Sequence, residues 1–208
     1  MASIILTSDD FGMSTIYNAE IINASRRGLL SSVSVMVNRG ALQEKQVSAL
    51  LQIYEQKKLS IGLHLEIEGR NIEEQCIGQW ESFFDIFCMK PDYVDIHKDE
   101  LFKADLDTIA TFCKGQNTRF RKYPETTVDV NSPDVTLFAS YMDLKDIVKQ
   151  LIRVKQNERC EIVFHIGAFD ELVSSTLNKE RENDLVKLAS VRQQMQSHNI
   201  SLINYNML

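Results

Sequence analysis

Strand-length apolar runs alternate with longer helical patterns from one end of this 208-residue chain to the other, and that alternation constrains the fold more than any other feature. Ile4–Thr7 is β-prone. Ser14–Arg27 follows with apolar residues at Ile16, Ala19, Ile21, Ile22 and Ala24, a helical spacing that Ser14 is suited to cap and Gly28 to end. Ser32–Val37 alternates valines, Ala41–Gln56 reads as helix, Leu59–Leu65 as strand and Ile72–Cys88 as helix. Tyr93–Asp95 anchors a fourth strand, Leu101–Cys113 the next helix, and Thr118–Arg121 a weaker strand. The prolines and polar residues of Lys122–Pro133 mark a loop. Val135–Ala139 is a short strand or extended arm, Leu144–Val154 a helix, Cys160–His165 a clear strand, Glu180–Gln196 the last long helix and Ser201–Tyr205 the final strand. Strands separated by helices imply parallel pairing through right-handed crossovers, which leaves a closed or nearly closed barrel or an open doubly wound sheet.

Composition removes other classes. A 208-residue chain, 44% hydrophobic and 25% charged, is expected to form one domain over residues 1–208 with an ample core. A net charge of −6 with no basic cluster argues against a nucleic-acid partner. No run approaches the ~18 apolar residues of a membrane span, and the N-terminal residues lack the basic and apolar regions of a signal peptide. Cys76, Cys88, Cys113 and Cys160 form no CxxC pair and sit in apolar patterns, so buried free thiols are expected. These features predict a soluble, cytoplasmic protein without membrane or nucleic-acid contacts. No glycine-rich phosphate loop is present, which leaves a nucleotide cofactor without support.

Parallel α/β folds gather their chemistry at the C-terminal ends of the strands. The polar residues that fall there are Asp9 and Asp10, Asn38, His64, Asp95 and His97, Arg121 and His165. Each has an ordinary reading alone: aspartates start turns, a core histidine bonds a carbonyl, an arginine pairs with a surface carboxylate. Together they collect at one rim, whereas residues placed independently would scatter between both ends of the strands. His198 lies in a polar turn and reads as solvated surface. Two histidines and an aspartate from separate strand ends suit a divalent ion, with imidazole favouring zinc-like ions and carboxylate admitting magnesium. A second aspartate and a facing histidine supply a base and an acid, which describes metal-assisted hydrolysis.

Several segments also resemble a known family. TSDDFGMS from Thr7 to Ser14, GLLSSVSVMVN from Gly28 to Asn38, and IGLHL from Ile61 to Leu65 are similar to the motifs of the YdjC-like carbohydrate deacetylases, in order. So are PDYVDIH ending at His97, RFR with Tyr123 and Pro124, EIVFHIG from Glu161 to Gly167, and the ERENDL stretch beginning at Glu180. The resemblance spans essentially the whole chain. It implies an α/β fold, a distorted seven-stranded (β/α) barrel of glycoside hydrolase/deacetylase type. It further implies removal of acetyl groups from N-acetylated sugars such as chitooligosaccharides, with a divalent ion, magnesium in preference to zinc. On that resemblance Asp10, His64 and His97 are the metal ligands, Asp9 the general base and His165 the general acid. Asn38 and Arg121 are weaker candidates for sugar contact or ligand orientation, and Asp95 for support of His97. A homodimer rests on the resemblance alone. Two alternatives stand beside this reading: a metal-dependent amidohydrolase or esterase for another small acyl compound, and a non-catalytic carbohydrate-binding member of the fold.

Overall fold

The structure, a computed structural model, describes residues 2–98 and 105–208. Among the described residues eight parallel strands and six helices alternate except at β5 and β6, which follow one another without a helix: β1 Ser3–Phe11, α1 Thr15–Arg26, β2 Ser32–Val35, α2 Glu44–Tyr54, β3 Ser60–Leu65, α3 Ile72–Phe87, β4 Tyr93–Ile96, α4 Leu106–Gly115, β5 Arg119–Phe120, β6 Val135–Phe138, α5 Leu144–Arg153, β7 Arg159–Phe164, α6 Arg181–Ser197 and β8 Ser201–Leu202. Seven strands follow the path β5-β4-β3-β2-β1-β7-β6, and β8 pairs with the start of β1. β8 and β2 share one edge of β1: Ser201–Leu202 lies against Ser3 and Ile4, and Ser32 is paired with Thr7. The path does not close, because β5 and β6 lie at opposite ends of it. This is the distorted seven-stranded barrel, opened between β5 and β6. The expected start of the fourth helix at Leu101 lies outside the described residues. No helix among the described residues is long and apolar enough to cross a membrane.

The period of two along each strand separates two environments. Ile4, Leu6, Val33, Val35, Ile61, Leu63, Leu65, Val94, Ile96, Ile162 and Phe164 point outward and join the helices in the main core. Each such fully buried side chain contributes about 1.5–3 kcal/mol. Their neighbours point into the barrel and are largely polar. Thr7 donates to Glu161 at 2.7 Å, Ser32 donates to the Tyr93 hydroxyl at 2.8 Å, and Ser34 bonds Asp95. The floor is a small apolar plug of Ile5, Tyr93, Ile203 and Tyr205. A sequence pattern that reads as half-apolar strands is therefore a buried sheet whose inner face carries the chemistry.

Local signals act as expected at α1, where the Ser14 hydroxyl accepts from the amides of Ile16 and Tyr17, a cap worth about 1 kcal/mol. Cys76, Cys113 and Cys160 are buried free thiols, but Cys88 is exposed, contrary to expectation. The reason is positional: Cys88 ends α3 in the left-handed region (φ 54°), one residue beyond the last turn that packs on the core.

Gly62 shows how tightly the barrel floor is filled. Tyr93 stacks on Tyr205 with ring centroids 3.7 Å apart, and a Cβ on Gly62 would lie 2.3 Å from Tyr93 Cζ. Gly62→Ala is expected to push Tyr93 off its stack and cost about 1–3 kcal/mol, the usual range for overpacking. Urea unfolding monitored by tyrosine fluorescence measures this as a lower midpoint at unchanged slope.

Candidate metal centre and active site

Asp9 and Asp10 reach the barrel mouth together because β1 is irregular there. Its pairing with β2 slips between Ser8 and Phe11, and Asp10 adopts φ 68°. A regular strand would turn the two carboxylates to opposite faces. The bulge turns both inward and returns Phe11 to the outer core. Gly12 (φ 104°) completes the turn: a Cβ there would meet the Met36 carbonyl at 2.4 Å, and the Gly12 amide donates to Asn18 Oδ1 at 2.7 Å.

Two arginines divide the aspartates. Arg121, 1% exposed, takes both oxygens of Asp9, with Nη1–Oδ2 at 2.7 Å and Nη2–Oδ1 at 2.8 Å. It also pairs with Asp95 and, at 3.1 Å through Nε, with Glu161. Arg181, fully buried, takes only one oxygen of Asp10, Nη2–Oδ2 at 2.6 Å. Asp10 Oδ1 is left buried without a hydrogen-bond partner among the described residues.

That orphaned oxygen faces two imidazoles. Asp10 Oδ1 lies 3.3 Å from His64 Nε2 and 3.2 Å from His97 Nδ1, and the two nitrogens are 3.2 Å apart. His64 Nδ1 meets Asp95 at 3.1 Å, and a carboxylate there fixes the proton on Nδ1 and leaves Nε2 as the lone pair facing the cluster. Three electron-rich atoms thus converge from three strand ends. They repel each other unless a proton or a cation sits among them, and one carboxylate with two imidazoles is a donor set for a divalent ion. The protonation of the cluster follows the same logic. Burial works against a charged His64, yet Asp95 and the two mouth aspartates hold its pKa well above the usual histidine range. Although burial penalises its charge, Asp10 stays well below the ordinary carboxylate range through the nearness of the His64 and His97 rings and the charges of His165 and Arg181. Asp9 is likewise lowered despite burial, chiefly by Arg121.

His165 faces the cluster from the end of β7. Its Nδ1 lies 3.0 Å from Ser140 Oγ, and Ser140 donates its own proton to Asp184, which also accepts the His165 amide at 3.0 Å. Ser140 can therefore only accept from His165, which puts the ring proton on Nδ1 and leaves Nε2 bare in the neutral form. Burial is the largest influence on His165 and lowers its pKa below the usual range. Asp9, Asp10, His64, His97 and His165 together line one cleft of about 80 Å3, walled by Lys98, Phe138, Tyr141 and the Ser175–Leu177 loop. The longer segment that contains it, residues 170–178, is tied down at its two ends, where the Ser14 hydroxyl donates to Asp170 at 2.5 Å and the Tyr17 hydroxyl donates to Asn178 at 2.7 Å.

Two expectations change, and for Arg121 the orienting role is favoured over sugar contact. Asn38 lies in an exposed turn beyond β2 and does not line the cleft; the inward polar residue at that strand's end is Ser34. Asp95 supports His64, not His97, because the register of β3 and β4 sets Asp95 beside His64. Arg121 lies beneath the cleft among carboxylates, so it orients Asp9 and cannot meet a sugar. Glu161, Ser140, Asp184, Tyr17 and Arg181 are site residues that the strand-end rule did not find. Only Glu161 had a signal, since it shares the inward face of β7 with His165.

The chain matches the family described as "YdjC-like protein" over residues 3–72, the segment that carries Asp9, Asp10 and His64. It is 23% identical to carbohydrate deacetylase 2 of Listeria innocua over 98% of this chain and 97% of that one. It is 24% identical to a carbohydrate deacetylase of Clostridium beijerinckii over 97% and 98% of the two chains. A crystal structure from Enterococcus faecalis, of a protein named for cellobiose-phosphate cleavage, superimposes with a TM-score of 0.83 at 20% identity, covering 99% of this chain and 98% of that one. The chain is thus similar to YdjC-like proteins at its N-terminal motif, and its likeness in sequence to the two carbohydrate deacetylases and in fold to the Enterococcus faecalis protein extends over its whole length.

Proposed function

We propose that this chain is a metal-dependent hydrolase that removes the acetyl group from N-acetylated sugars of the chitooligosaccharide type. The observation that carries the reading is the convergence of Asp10 Oδ1, His64 Nε2 and His97 Nδ1, with Asp9 and His165 on the same cleft. Its two relatives named as carbohydrate deacetylases support the choice of reaction and of substrate class. A divalent ion held by Asp10, His64 and His97, magnesium in preference to zinc, would lower the pKa of water and polarise the acetamide carbonyl.

The remaining chemistry belongs to the chain. Asp9 is ionised at neutral pH and oriented through both oxygens by Arg121, so it is placed to accept the proton of the attacking water. His165 gives a proton to the departing amine, and for this it must carry one on Nε2. The Ser140–Asp184 pair holds the ring so that Nε2 is the atom that loads and unloads. The cleft itself has room for an acyl group only. Beyond Phe138 and Tyr141, which wall it, lies a groove of about 500 Å3 in the opening between β5 and β6. That volume is in the range that encloses a small-molecule ligand. Its aromatic walls suit the apolar face of a pyranose, and Glu125 and Asp134 suit its hydroxyls.

Asp9→Asn and His64→Ala are each expected to reduce acetate release from acetylated chitobiose by at least about 10²-fold, the lower bound for losing an acid–base group. Wild-type rates in either would remove the site assignment. With metal saturating, kcat/KM should rise as pH falls from 8 toward the lowered pKa of His165, because only its protonated form serves as acid. His165→Ala should lose that limb, and a profile that rises with pH would instead make His165 a base. Tyr141→Ala should raise KM for the disaccharide several-fold with kcat nearly kept; equal loss on acetate release from a small acetanilide would exclude the groove.

A further inference from the structure

Arg181 stands at the first position of α6, where a cation opposes the helix dipole. It is fully buried, and its Nε and Nη1 have no hydrogen-bond partner among the described residues. Burying a guanidinium so incompletely paired is unfavourable for stability. What it does make is specific: a 2.6 Å bond from Nη2 to Asp10 Oδ2, and a stack with its Cζ 3.9 Å from the centre of the Tyr17 ring. Tyr17 is in turn held by its hydroxyl, which donates to Asn178. Gly167 makes the stack sterically allowed, since a Cβ there would lie 2.6 Å from Tyr17 Cδ1 and 3.2 Å from Arg181 Cδ.

Asp10 needs such a hold. It sits in the left-handed region inside a bulge, so the pleat of β1 does not fix where its carboxylate points. Were Oδ2 released, the carboxylate could turn to satisfy Oδ1 elsewhere, or present both oxygens to the histidines. We propose that Arg181, stacked on Tyr17 in the space left by Gly167, is a positioning residue. It claims Oδ2 of Asp10 and thereby presents Oδ1 alone to the His64–His97 pair as a single-oxygen ligand. The contrast with Asp9, whose two oxygens are both taken by Arg121, explains why Asp10 of the two neighbours is the one with an oxygen to offer. The clamp rests on the cation reading of the triad, and it adds which residue makes Asp10 a ligand of fixed denticity.

Titration of the metal-free full-length chain with Mn2+ by calorimetry, and with Co2+ by visible absorption, tests it without reference to turnover. Arg181→Gln should weaken Mn2+ binding by about 10–100-fold, the usual effect of losing a partner that orients a ligand. It should also change the Co2+ band shape, since Asp10 is freed to bind through both oxygens. Arg181→Lys should recover part of the affinity, and Gly167→Ala should mimic Arg181→Gln by displacing the stack. If Arg181→Gln does not fold, Gly167→Ala and Tyr17→Leu carry the same test through the stack. A folded Arg181→Gln with wild-type affinity and an unaltered Co2+ spectrum would overturn the clamp while leaving the metal site standing. A wild-type chain that bound neither ion would overturn both.

Discussion

The interior of the barrel depends on Arg121. Its guanidinium is surrounded by three carboxyl groups carried by three strands, Asp9 of β1, Asp95 of β4 and Glu161 of β7. Any one of them buried alone would be costly, and so would the arginine; together they satisfy one another. The network also spans the place where the sheet fails to close. Arg121 directly follows β5, and Glu161 lies on the strand that pairs with β6, so the charges join the two ends of the sheet through the barrel interior. Residues of the seam complete it. The Phe120 amide donates to the Asn131 carbonyl at 3.0 Å, and Thr136 on β6 reaches Glu161 at 3.4 Å. An ionic crosslink thus stands in for strand pairing at the depth of the site.

The same network sets the electrostatics of the mouth. One guanidinium cannot hold three carboxylates equally ionised. Asp9, gripped through both oxygens, is lowered, while burial is the dominant influence on Glu161 and raises it, so that Glu161 sits in a proton-rich setting with Tyr205 and Thr7 donating to it. Asp95, between Arg121 and His64, conveys the charge of this layer upward and makes His64 Nε2 basic. A basic Nε2 binds a proton or a cation through the same lone pair, so proton and cation compete at His64. The basicity of His64 is therefore built two layers down, in residues that do not line the cleft.

Much of this was legible in the sequence, for reasons that are physical. Strand and helix periods are local, so the alternation was visible, and parallel topology then sends every strand end to one rim. That is how Asp9, Asp10, His64, His97 and His165 could be grouped without coordinates, and they do line one cleft. The rule stops where geometry becomes non-local. Nearness in sequence pairs Asp95 with His97, two residues away, but register sets it beside His64, thirty-one residues away in sequence. Asn38 ended a predicted strand, yet β2 ends at Val35 and the chain turns outward. Arg181 and Asp184 come from a helix, and Ser140 from a turn, elements that a strand-end rule does not sample. The bulge that brings Asp9 and Asp10 to one side is likewise invisible to a period-two reading, which would have set them on opposite faces.

The opening between β5 and β6 connects fold with selectivity. A fully closed barrel would fill its interior with side chains up to the rim and leave only the shallow mouth for a ligand. Here β5 is two residues long and its loop, Lys122 to Asp134, folds back along the seam instead of pairing with β6. A groove that shares Phe138 and Tyr141 with the cleft is the result, and its walls are residues of that loop, the inner side of β6 and the exposed side chain of Tyr141, 70% accessible. Asp9, Asp10 and His64, by contrast, stand on strands and are held by buried ion pairs. Changes in the loop can therefore alter what is bound without disturbing Arg121 or the triad, because the seam needs no register to be kept. The ionic crosslink beneath is what permits that freedom: with the two ends of the sheet tied through Arg121, the rim above them is released from the task of closing the barrel.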